Sequence, residues 1–153
     1  MLDAANLRLP YLSNPQPDLL CAGMPSAEDF RAVAAAGVRT VVNLCQLQET
    51  PIDEPEFVQH LGMRYVQIPI GGAPDLSETN ARALAAVIDD KANQPVLVHC
   101  MSSNRVGALL ALKAGVVDRV PAEEAMQFGL QAGLRALEPV VWHLLTHHQR
   151  ATS

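Results

Sequence analysis

The stretch PVLVHCMSSNRVGALLALKAG, residues 95–115, constrains the fold of this chain more than any other. PVLVHC (95–100) is a continuous apolar run behind a proline, the mark of a central strand covered on both faces. RVGALLALKAG (105–115) is apolar nearly all round, which suits a buried helix packed on a sheet. A buried strand that gives way to a buried helix within a few residues belongs to an α/β architecture.

The rest of the chain supplies the same alternation. Residues 7–22 contain Pro10, Pro15 and Pro17, which fit edge strands and turns. PSAEDFRAVAAAG reads as a helix capped by Ser26 with Asp29, burying Phe30, Val33 and Ala34 on one face and ending at Gly37. RTVVNL (39–44) is a short buried strand, and the loop 45–52 leads into a short helix, IDEPEFVQHLG, with Pro55 in its first turn and Gly62 at its close. MRYVQIPI (63–70) is the next strand. After the turn GGAPDLS, Ser77 opens a helix whose Ala81, Leu84, Ala85 and Ile88 recur at helical spacing. Another helix runs from Pro121 to near Gly133, and a last one carries Leu137, Val140, Val141, Leu144 and Leu145 on one stripe. Strand–helix alternation predicts an α/β fold with a mostly parallel central sheet. At 153 residues, with no repeat or low-complexity linker, 1–153 is expected to form a single domain.

The charge balance narrows the partners. Net charge is −5, so a broad nucleic-acid footprint or a polybasic membrane anchor is not expected. No apolar run approaches the ~18–20 residues of a membrane span, and MLDAANLRLP has no signal-peptide pattern. Three widely spaced cysteines, Cys21, Cys45 and Cys100, read as reduced thiols. The expectation is a cytoplasmic protein without nucleic-acid or membrane partners.

One of those thiols carries the functional signal. Ligands in parallel sheets bind beyond the carboxyl ends of the strands, where Cys100 falls. The backbone N–H groups of Met101, Ser102, Ser103 and Asn104, the free donors of the following helix and the guanidinium of Arg105 all favour thiolate over thiol. Cys100 should therefore titrate well below its ordinary ~8.5. The same cradle suits a tetrahedral anion, with Arg105 bridging two oxygens. A buried structural cysteine is the alternative, since C-x4-R alone is a weak pattern.

HCMSSNRVGALLAL resembles the active-site loop of dual-specificity-type cysteine phosphatases. With AGMPSAEDFRAVAAAGVRTVVNL and GMRYVQIPIGG, the chain is similar to a small bacterial phosphatase-like family that also occurs fused to beta-lactamase-like hydrolase domains. The resemblance implies a three-layer αβα, cysteine phosphatase-like fold, Cys100 as nucleophile, Arg105 as phosphate ligand, a phosphorylated protein or small molecule as substrate, and no cofactor or metal. Three positions depart from the wider pattern. The loop between Cys100 and Arg105 is one residue shorter than in ordinary protein tyrosine phosphatases. Ser103 stands where a glycine is usual, at a cost of about 1 kcal/mol should that position need a positive φ. Val106 replaces a hydroxyl residue that helps the thiolate leave, which implies slow turnover. The short loop also resembles rhodanese-like sulfurtransferases, which would place a persulfide on Cys100. A phosphate- or sulfate-binding module with little turnover is a third reading.

Thiolate cleavage of a phosphate ester needs a proton donor. Asp75, in GGAPDLS, suits that role by position and by approximate likeness to the family's acid loop; it equally suits a helix-entry acid beside Ser77. Asp53 and Glu54 are rivals, with helix capping their simpler role. His99 should point away from the nucleophile by strand alternation and fix the loop by a hydrogen bond. Cys45 could approach Cys100 and protect it as a disulfide or simply fill the core, as Cys21 is expected to. His143, His147 and His148 lack the acidic or cysteine partners of a metal site. Trp142 lies off the final helix's apolar stripe, in keeping with a surface or partner contact, and that helix could pair in a homodimer.

Overall fold

The computed structural model describes residues 2–152, with side chains described through Gln149. Eleven elements follow in order: β1 (Ser13–Gln16), β2 (Leu19–Ala22), α1 (Ala27–Ala35), β3 (Thr40–Asn43), α2 (Glu54–His60), β4 (Arg64–Gln67), α3 (Glu78–Ile88), β5 (Val96–His99), α4 (Asn104–Leu112), α5 (Ala122–Gln131) and α6 (Glu138–Thr152). The sheet order is β1-β2-β5-β3-β4; β1 pairs antiparallel with β2 and the other pairings are parallel. β5 is thus central, as its unbroken apolar run requires, and the proline-rich start of the chain supplies the edge.

Strand alternation divides the core into two layers. Leu20, Ala22, Val41 and Leu97 face Phe30 and Val33 of α1 and Val58 of α2. Cys21, Val42, Val98 and Cys100 face α3, α4, α5 and α6, through Leu84, Leu109, Ala125 and Val141 among others. The architecture is therefore three-layered αβα. Cys100 and His99 fall on opposite faces of it.

Local signals set the helix ends. Ser26 accepts from Asp29 N at 3.1 Å while Asp29 accepts from Ser26 N at 2.9 Å, closing a capping box. Ser77 caps α3 from Asn80 N. The helix after Arg105 differs from the sequence expectation. Gly115 does not end it; α4 runs on through a wider π turn, Lys113–Val117. There Lys113, nearly buried, donates to Asp89 at 2.9 Å and Asp118 at 2.8 Å, so its charge is matched where the helix widens. Gly115 is instead a packing position, because the Leu145 side chain of α6 occupies the space of a Cβ.

Candidate active site

Parallel pairing brings the ends of β3, β4 and β5 to one sheet edge. β5 delivers Cys100, the three residues Met101–Ser103 turn the chain, and α4 begins at Asn104. The thiol is 1% exposed, at the base of the loop. The first N–H groups of α4, those of Asn104, Arg105 and Val106, have no intrahelical acceptor.

Arg105 reaches across the site rather than into solvent. Its Nη1 and Nη2 donate to the two oxygens of Glu49 at 2.8 and 2.9 Å, and Nη1 also donates to the Ile70 carbonyl at 2.8 Å. These bonds use three of the five guanidinium N–H groups and leave the edge formed by Nε and the second Nη2 hydrogen for another bidentate acceptor. Hydrogen bonding from Arg105 holds the Glu49 carboxyl below the usual range, and Glu49 in turn raises Arg105. Glu49 itself is fixed by accepting from Gln46 N at 3.0 Å.

The loop after β4 carries Asp75. Its Oδ2 accepts from Gly71 N at 2.7 Å, next to the Ile70 carbonyl that Arg105 holds, and its carbonyl accepts from Asn80. Asp75 is thus half-buried and tied into the segment that contacts the arginine. Asp53 stands at the N-cap position of α2 without a side-chain cap bond, exposed.

Glu54 corrects the sequence expectation outright. It neither caps α2 nor opens to the mouth: it lies buried behind the sheet, where Oε2 accepts from His99 Nε2 at 3.0 Å and Tyr65 OH at 2.8 Å. Asn43 donates to Tyr65 and Thr50, completing a polar cluster under β5. Burial, with the Glu54 carboxylate beside it, raises the Tyr65 phenol against the lowering hydrogen bond from Asn43. The other His99 nitrogen, Nδ1, sits 3.3 Å from the Cys100 carbonyl, and Phe30 meets the ring edge-on at 5.9 Å. His99 therefore touches the backbone of the cysteine from the face opposite its sulfur.

The residues between cysteine and arginine divide by role. Ser103 adopts φ 64°, ψ 1°, the left-handed region in which serine is costly. Its buried hydroxyl donates to the Ala132 carbonyl at 2.6 Å, which offsets part of that cost. Asn104 accepts from Arg135 N at 2.8 Å, and the Arg135 guanidinium donates to the Ser102 carbonyl while lying 4.9 Å from the Tyr11 ring centroid. The side chains of Ser103 and Asn104 thus face the connector between α5 and α6 and fix the loop from behind. Met101 is exposed at the rim. Val106 is wholly buried.

Cys45, at the end of β3, is a buried free thiol that desolvation pushes up to about 12, despite the lowering influence of Arg105. It is a protonated apolar group at neutral pH, and Cys21 is likewise pushed up to about 12 by burial. His143 and His147 stack on α6, and no cluster able to hold a metal ion occurs among the described residues. No described helix is long and apolar enough to cross a membrane.

Comparison with known proteins places this geometry. The family model for the DSP-PTPase phosphatase of polymorphic toxin systems matches residues 20–117, from β2 through the cysteine loop and all of α4. The chain belongs to the DSP-PTPase phosphatase family. Within the wider group it is 29% identical over 116 residues to an inositol diphosphatase of Oryza sativa subsp. japonica, covering 71% of this chain and 56% of that one. It is 27% identical over 129 residues to the beta-lactamase hydrolase-like protein of Agrobacterium fabrum, covering 81% of this chain and 30% of that one. The chain therefore spans about half, or less, of the length of these curated relatives. Among solved structures, the DUF442 protein of Shewanella putrefaciens CN-32 is 28% identical with a TM-score of 0.71, covering 96% of this DSP-PTPase chain and 94% of its own.

Proposed function

We propose that this chain is a cysteine-dependent phosphatase that hydrolyses phosphate monoesters through a phosphocysteine at Cys100. The observation that carries the reading is the half-occupied fork of Arg105, fixed by Glu49 and Ile70 with one edge left for a phosphate. Family membership supports phosphoryl transfer over the sulfur transfer that the short loop would also permit.

The chemistry follows from the residues. The Cys100 sulfur attacks phosphorus as the P–O bond to the leaving group breaks; the electron pair departs with that oxygen, which takes a proton from Asp75. Arg105 and the first N–H groups of α4 hold the equatorial oxygens, where negative charge concentrates in the transition state. Water then attacks phosphorus, Asp75 accepts its proton, and the P–S electron pair returns to sulfur. Val106 offers no hydroxyl to that departing sulfur, so the second step is the slow one. Exposed Met101 and Tyr11 beside Arg135 give the rim an apolar surface on which an aryl group can lie, which favours aryl phosphates such as phosphotyrosine. The likeness to an inositol diphosphatase makes inositol diphosphates a second candidate substrate class.

Steady-state hydrolysis of an aryl phosphate tests the assignment. Wild type is expected to be active and inhibited by vanadate, and Cys100→Ser to lose essentially all turnover. A serine variant with full activity would defeat the nucleophile assignment. Anion binding by the wild type with no turnover would support the binding-module reading instead.

A further inference from the structure

Between them, α5 and α6 leave an open groove of about 600 Å³. Met126 forms part of its floor, while Leu130 and Trp142 are 37% and 42% exposed beside it. Large apolar side chains exposed together mark a contact surface more than scattered single ones do. The charge around them is of one sign. Glu123 and Glu124 come from the first turn of α5 and Glu138 from the first turn of α6, all exposed, and among the described residues no Lys or Arg lines the groove. The carboxylates are well placed for their own helices, since negative charge favours a helix N-terminus. Together they also surround an apolar trough with negative potential.

We propose that this groove docks a basic, amphipathic peptide segment of a protein partner, which seats bulky apolar side chains against Trp142, Leu130 and Met126 and sets Lys or Arg against the three glutamates. The volume lies within the range of about 300–1,000 Å³ typical of ligand pockets, and helix-in-groove recognition uses apolar anchors one turn apart in this way. Cations on the partner would gain on-rate and selectivity from the glutamate rim, and one could also lie over the indole face. A second copy of this chain is the poorer occupant. A two-fold contact through this patch would bring the glutamates of both copies together with no cation among the described lining residues to balance them. The surface is separate from the cysteine loop, so the proposal does not rest on chemistry at Cys100.

Trp142 is the only tryptophan in the chain, so its emission reports directly on the groove. The probe is a short amidated peptide with Phe and Leu one helical turn apart and Lys at the remaining positions. A saturable blue shift of Trp142 emission is expected with this peptide. None is expected with the version in which Glu replaces Lys, or with the version in which Ser replaces Phe and Leu. Combining Glu124→Lys with Glu138→Lys should weaken binding about tenfold or more. No shift with the first peptide, or equal binding of either control, would overturn the proposal. So would a blue shift that grows with protein concentration alone, accompanied by a dimer in sedimentation, because that result makes a second copy the occupant.

Discussion

Glu49 and Glu54 leave the same connector between β3 and β4, yet they support the cysteine loop in opposite ways. Glu54 is 1% exposed by side chain and holds His99 from behind the sheet. Glu49 is 28% exposed and holds Arg105 at the mouth. A buried pair is costly to break because the abandoned group stays buried, whereas a part-exposed pair can be exchanged for water or for another anion at little cost. The lesson is that the loop has a fixed wall and an adjustable one. His99 and Glu54 brace the backbone at Cys100; Glu49 orients the Arg105 edge that we propose faces phosphate.

The largest expected effect breaks the fixed wall. Glu54→Ala leaves buried His99 and half-buried Tyr65 without their acceptor and should cost about 3 kcal/mol of stability, read as a lowered denaturant midpoint. Glu54→Gln, which keeps an acceptor of the same shape, should recover at least half of that loss. Equal losses in the two variants would mean that packing, not the hydrogen bonds, carries the position.

Glu49→Gln should behave differently: a stability change below about 1 kcal/mol, and a kcat/KM for aryl phosphate reduced about tenfold as the arginine fork loses its orientation. The pH dependence has a definite sign. Arg105 holds the folded-state carboxyl of Glu49 below its ordinary value, so the pair's small contribution is fully present above the ordinary carboxylate range. It is lost as pH falls through the depressed folded value. The wild-type-minus-variant stability should therefore fall as pH drops through that value, because the variant lacks the titrating carboxyl. A variant that instead loses several kcal/mol at neutral pH would erase the distinction between the two walls.

A third pair of variants sharpens the comparison from the loop itself. Ser103→Ala keeps the left-handed backbone but removes the bond to Ala132, and should cost about 1–2 kcal/mol. Ser103→Gly loses the same bond while relieving the backbone, and should lie closer to wild type. The reverse order in urea unfolding would mean that the position carries no backbone strain.

These pairs also mark what the sequence made legible. The order of strands and helices, the central place of β5 and the position of Cys100 at its end follow from periodicity and from a local strand–turn–helix signal. Ser103 was readable as a departure from the glycine usual in the resembled loop, and its left-handed backbone gives that departure a physical cost. The partners of His99 and Arg105 were not readable: Glu54 lies 45 residues from His99 and Glu49 lies 56 from Arg105, and no local pattern specifies such pairings. Glu54, as an acid near the start of a helix, looked like a cap because only the tertiary fold shows that β5 runs above it. Arg135 was silent for the same reason. Gly115 looked like a helix stop because its packing against Leu145 is also non-local.

The claim on which the rest depends is covalent chemistry at Cys100, and the most direct measurement is acid-quenched mass spectrometry after brief mixing with an aryl phosphate. Because Val106 leaves the second step unassisted, a phosphoryl adduct should accumulate on the peptide containing Cys100 and be absent in Cys100→Ser. Product release with no adduct at any quench time, or an adduct on Cys45 in its place, would contradict the account.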